Sequence, residues 1–86
     1  MDNSIHLIAG KLLFSIGAYE DAIKAFSYSP SIDKNREALL SRIKCYIYLK
    51  ELNLSLKDME KLIELGDKNI EFDFYCLSAL KEASKN

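Results

Sequence analysis

The chain has 86 residues, 49% of them apolar, with 12 basic and 13 acidic side chains and a net charge of −1. That length bounds it to one small domain with a thin core, and the apolar fraction is too high for a disordered chain. Balanced, dispersed charge gives no electrostatic footprint for nucleic acid or an anionic membrane surface, and no apolar run approaches the ~18 residues of a membrane span.

Punctuation is sparse: one proline, Pro30, and three glycines, Gly10, Gly17 and Gly66. No β-branched alternation suggests a strand, so long helices joined by short turns are expected. The first helix is predicted from about Ser4, which can cap it, to Ile16, with Ile5, Ile8, Ala9, Leu12, Leu13 and Ile16 as its apolar stripe and Gly17 as a left-handed end. The second runs from about Tyr19 to Ser27, turns Ala22, Ile23 and Phe26 inward, and is stopped by Pro30. A polar turn, Ser31 to Asn35, offers Asp33 or Asn35 as the cap of a third helix that runs to about Lys50, with Leu39, Ile43, Tyr46 and Ile47 inside. Asn53 is expected to cap a fourth helix carrying Leu56, Met59, Leu62 and Ile63 and closed by Gly66. The fifth is predicted from about Asn69 to Ala83. Its residues Phe72, Tyr75, Cys76, Ala79, Leu80 and Ala83 form the cleanest amphipathic stripe in the chain and are expected in the core.

The elements repeat. A shift of 33 residues lays Leu13 on Tyr46, Tyr19 on Leu52, Ala22 on Ser55, Ile23 on Leu56 and Phe26 on Met59. A second shift lays Leu39 on Phe72, Ile43 on Cys76 and Tyr46 on Ala79. The unit is a helix–turn–helix, and the fifth helix opens a third copy without its partner. His6, Ala9, Gly10 and Leu13, then Gly17 and Tyr19, then Ala22 and Phe26, then Pro30, follow the order of the tetratricopeptide-repeat pattern, and the chain resembles that family over nearly its whole length. The second copy departs from the pattern: Ile43 stands where the family has a small residue, and no proline follows Met59. The resemblance implies an all-α fold, a right-handed solenoid of five antiparallel helices. Repeat 1 would span about 4–34, repeat 2 about 36–68 and a capping helix about 69–84, its polar side formed by Glu71, Asp73, Ser78, Lys81, Glu82 and Lys85. Gly10 and Ala22 would let the helices of one unit approach closely, with Tyr19 and Phe26 filling the volume around them.

Candidate chemistry is thin. His6, the single histidine, takes the place of a bulky packing aromatic. Cys45 and Cys76 show no CxxC spacing and no basic neighbour to lower a thiol pKa, and read as buried thiols of a reducing compartment. Glu60, Glu64, Asp67 and Glu71 form no metal pattern and read as a solvated face. No phosphate loop or zinc signature occurs, so no cofactor and no enzymatic activity are expected.

A protein or peptide partner is expected instead. By resemblance, the first helix of each unit lines a concave groove, here carrying Leu7, Lys11, Phe14, Leu40, Lys44, Ile47, Tyr48, Phe74 and Leu77. One branch of the family clamps acidic chaperone tails with basic and asparagine side chains. The matching positions hold Leu7, Lys11, Ser41, Ile70 and Phe74, so such tails are not expected to bind and an apolar segment is. The reading is a non-enzymatic scaffold or adaptor module. Its alternatives are self-association through the fifth helix, with Phe74 and Leu77 on the outer flank, or the N-terminal domain of a larger co-chaperone associated with ubiquitin ligases. The start, Met1 to Ser4, lacks a signal-like positive region, so a cytoplasmic or nuclear location is expected.

Overall fold

A computed structural model gives the fold and describes residues 4–84. The expected Ser4 cap, the place of Ala83 on the fifth stripe, and Lys85 fall outside the described residues and side chains. All regular structure among the described residues is helical: α1 (Ser4–Ser15), α2 (Tyr19–Tyr28), a 3-10 turn (Ile32–Lys34), α3 (Arg36–Tyr48), α4 (Leu52–Glu64) and α5 (Lys68–Ser84). Each helix packs on the next in sequence, and α1 also touches α3. The result is a slab of 44 × 27 × 16 Å, with a core drawn from α2 to α5 that includes Ala22, Phe26, Leu39, Ile43, Cys45, Met59, Leu62, Ile70 and Leu77.

The repeat is visible in backbone hydrogen bonds. Gly17 N–H donates to the Phe14 carbonyl and Ala18 N–H to that of Leu13; 33 residues on, Lys50 N–H donates to Ile47 and Glu51 N–H to Tyr46. Both pairs close a helix in the same way, with one residue in the left-handed region followed by a six-residue return bond. Gly17 suits that region, at φ 82°, whereas Lys50 is held there at φ 62° with a side-chain clash glycine lacks. The next helix then begins at once, at Tyr19 and at Leu52, which is why Asn53 lies inside α4 and does not cap it. Gly66, at φ 92°, closes α4 with the same bonds.

Side chains repeat as well. Ala22 and Ser55 are both fully buried, as is Phe26, and Met59 nearly so. A Cβ placed on Gly10 would lie 2.5 Å from the Phe26 ring. The bare backbone of α1 at Gly10 is therefore what gives the ring its place. In the second unit Ile43 and Met59 replace that pair, two mid-sized side chains for a large one and none, and both are buried.

Two polar contacts organise the second unit, and one of them reaches back to the first. Arg42 of α3 grips Asp58 of α4 through two bonds, Nε to Oδ2 at 2.6 Å and Nη2 to Oδ1 at 2.7 Å, with both side chains buried. Its Nη1 donates to Ser27 Oγ of α2 at 2.9 Å, and the guanidinium lies 5.9 Å from the Tyr46 ring centre. Burial opposes the charge on Arg42, yet the Asp58 carboxylate outweighs it and holds the guanidinium above its ordinary pKa. Asp67, expected on a solvated face, is instead the N-cap of α5: Oδ1 accepts from Asn69 and Ile70 N–H, and Oδ2 accepts from Arg36 Nε at 2.6 Å. Those amide bonds, and secondly Arg36, hold its carboxyl below the usual range. Asn35 caps α3 through the Ala38 N–H at 2.9 Å.

Most of each terminal helix's stripe points outward, against expectation, although Ala9 and Leu13 of α1 are half-buried, Leu13 against the core. Ile5, Ile8, Leu12 and Ile16 of the α1 segment are exposed, and so are Phe72, Tyr75, Cys76, Ala79 and Leu80 of α5. A terminal helix has a neighbour on one side only, and both helices carry two apolar faces. α5 turns Ile70, Phe74 and Leu77 into the core and leaves the longer stripe free. Ser78 and Lys81, expected on its outer side, are half-buried.

Asp58→Ala leaves the Arg42 charge buried without its partner, so we expect a loss of about 3–5 kcal/mol, most of a small domain's stability, in urea unfolding. Lys50→Gly removes the left-handed strain and is expected to raise stability by about 0.5–1 kcal/mol, read as a higher urea midpoint at unchanged slope.

Candidate interaction cleft

α5 leans on α4 and stands off from α3, and a cleft of about 350 Å³ opens between them. Leu40, Ile43, Lys44 and Ile47 form the α3 wall, Met59 of α4 the floor, and Ile70, Asp73, Cys76, Leu77 and Leu80 the α5 wall. The lining is apolar apart from Lys44 and Asp73, one charge on each wall. An apolar cleft with few polar groups suits the side chains of a bound segment, with the charges setting its direction.

The structure divides the nine residues expected to line a groove. Leu40, Lys44, Ile47 and Leu77 share this cleft. Leu7 and Phe74 are half-buried against the core instead, and Leu77 is itself buried on its α4 side, so neither Phe74 nor Leu77 forms an outer flank. Phe14 and Tyr48 belong instead to an aromatic group at the C-terminal end of α3 that involves α1 and α2, where Tyr19 stacks on Tyr48 at 4.7 Å and Phe14 lies 5.7 Å from Tyr19. Lys11 is engaged by Glu37 of α3 at 2.6 Å. Sequence reasoning missed Ile43, Met59, Ile70, Asp73, Cys76 and Leu80 as cleft residues. Helical periodicity gave Ile43, Met59, Cys76 and Leu80 to the core, and nothing in a one-dimensional pattern shows that α3 and α5 diverge.

His6 packs against Tyr28 at 5.9 Å between ring centres. The cysteines separate: Cys45 is buried, and burial pushes its thiol up to about 11, whereas Cys76, expected to be buried, is exposed on the cleft wall. Among the described residues no His, Cys, Asp or Glu group is arranged to hold a metal, and no helix is long and apolar enough to cross a membrane.

Compared with protein-family models, with curated proteins and with solved structures, the chain finds no match.

The two thiols give a direct check on the cleft. At pH 8 and low micromolar concentration, one equivalent of a thiol-specific chromogenic reagent is expected to react at Cys76, while Cys45, buried and with its thiolate disfavoured, reacts only on unfolding. The native Cys76→Ser protein is then expected to show no reactive thiol.

Proposed function

We propose that this chain is a protein–protein interaction module, a short right-handed solenoid of tetratricopeptide type that takes an apolar segment of a partner in the cleft between α3 and α5. The observation that carries the reading is the cleft itself, apolar, open, and bounded by the first helices of successive units. The repeated helix endings at Gly17 and Lys50 and the tight Gly10–Phe26 contact support the repeat assignment. The module acts as a scaffold or adaptor, with no chemistry of its own. Acidic chaperone tails are not its ligands, because Lys11 is held by Glu37 and the other positions of a carboxylate clamp carry no basic side chain.

The ligand class follows from the walls. A segment with two or three large apolar side chains fills the cleft, and an acidic residue beside them meets Lys44. Selection from a displayed random-peptide library, with counter-selection on Ile47→Glu, tests this. Ile47 is already 40% exposed, so the substitution charges the α3 wall without emptying the core. Recovered peptides should be apolar with an acidic flank and bind the native chain with Kd of about 10–100 μM and Ile47→Glu at least ~10-fold more weakly. Peptides that bind both proteins equally would overturn the cleft as the site.

A further inference from the structure

The free face of α5 has a template within the chain. On α3, Arg42 turns to α4 and meets Asp58. The residue 33 places later is Tyr75, and Phe72 and Cys76 stand at the places of buried Leu39 and Ile43. α3 therefore has a helix against the face that α5 leaves open, where Phe72 and Tyr75 are 71% and 62% exposed. By that template the element that fits this face is a helix.

The stripe also specifies which helix. Lys68, Phe72, Tyr75, Ala79 and Glu82 follow one another at intervals of four, three, four and three residues, the spacing of a helix–helix seam. About Tyr75 the stripe is self-complementary when reversed. Large Phe72 meets small Ala79, and Lys68 meets Glu82. Each charge also stands at the end its own helix dipole disfavours, Lys68 in the first turn of α5 and Glu82 in the last. An antiparallel copy puts each beside the dipole end that favours it. Glu82 also takes part in an interaction of its own chain, and a carboxylate's two oxygens can serve both.

We infer that the chain forms a two-fold dimer through the outer face of α5. The two α5 helices run antiparallel with Tyr75 near the axis, Phe72 over Ala79 of the partner subunit and Lys68 against Glu82 of the partner subunit. The exposed stripe of the α1 segment, Ile5, Ile8, Leu12 and Ile16, offers no charge to answer Lys68 or Glu82, and α5 on α1 would grow without closing. Two α5 stripes together bury roughly 1,000 Å², the low end for a specific interface, so the dimer is weak. It rests on a face distinct from most of the cleft, sharing only the rim at Cys76 and Leu80.

Sedimentation equilibrium of the 86-residue chain tests it. The mass is expected to rise from 9.8 kDa towards twice that value, with a midpoint of about 10–100 μM. Phe72→Asp should weaken the dimer at least ~10-fold, with helicity by circular dichroism unchanged because the residue is exposed. Lys68→Glu should weaken it ~3-fold or more, and adding Glu82→Lys should restore it. A short bis-maleimide should link two copies through Cys76, next to the axis, and fail in Cys76→Ser. A chain that stays monomeric to about 500 μM, an association that Ile8→Asp abolishes and Phe72→Asp does not, or growth beyond two copies would each overturn the inference. Ile47→Glu is expected to lose peptide binding and keep the dimer, so the two sites fail separately.

Discussion

Arg42 and Asp58 hold the second unit together, and through Ser27 of α2 Arg42 also ties it to the first. Both lie on faces that helical periodicity assigns to the core, Arg42 beside Leu39, Ile43 and Tyr46, and Asp58 beside Ser55, Met59 and Leu62. A charge in that position is tolerated only when fully partnered. The bidentate fork satisfies the carboxylate, Ser27 takes one remaining donor, and the Tyr46 face covers the guanidinium. Lys61 extends the network to Asp33 at 2.7 Å, so α2, the 3-10 turn, α3 and α4 share one polar seam. No buried side-chain polar atom among the described residues lacks a partner. A hydrophobic pair in the same place would bury as well but would fix the rotation of α3 on α4 less closely, since a fork accepts one angle and apolar side chains several.

That seam decides what the rest of the surface can do. With α3 fixed between α2 and α4, most of its apolar residues are consumed on two sides, and Leu40 and Ile47, with Lys44 between them, remain for a third. α5 is placed by a different device, the Asp67 cap tied to Arg36 at the start of α3. The cap sets where α5 begins, and its apolar face Ile70–Phe74–Leu77 sets which side rests on α4. Beyond that, nothing draws α5 to α3, and the cleft is the space left between them. The cleft is in this sense a by-product of packing: α3 spends two faces on its neighbours and leaves the third open.

The same accounting explains the ends. α1 and α5 each lack one of the neighbours that α3 has, and each leaves an apolar face open. Exposed apolar stripes of this kind often mark a place where another element docks. The cleft and the outer face of α5 lie on different sides of that helix and share only Cys76 and Leu80.

The sequence by itself determined the helices, their order and the period of 33, because these rest on local spacing and on turn residues: Gly17, Gly66, Asn35 and Pro30 act within a few residues of themselves. The resemblance implied a close helix approach at Gly10 with Phe26 nearby, and the structure places the Phe26 ring directly against the bare Gly10 backbone. Only the tertiary structure decided which of two apolar faces on α1 and α5 turned inward. Periodicity reports that a face is apolar, and what covers it depends on the neighbour present. The cleft belongs to that second kind of knowledge, because Leu40, Met59 and Leu80 become one site through the angle between helices that are not adjacent in the chain. Arg42 and Asp58 belong to the same kind, because their pairing across sixteen residues required α3 and α4 to be folded against each other.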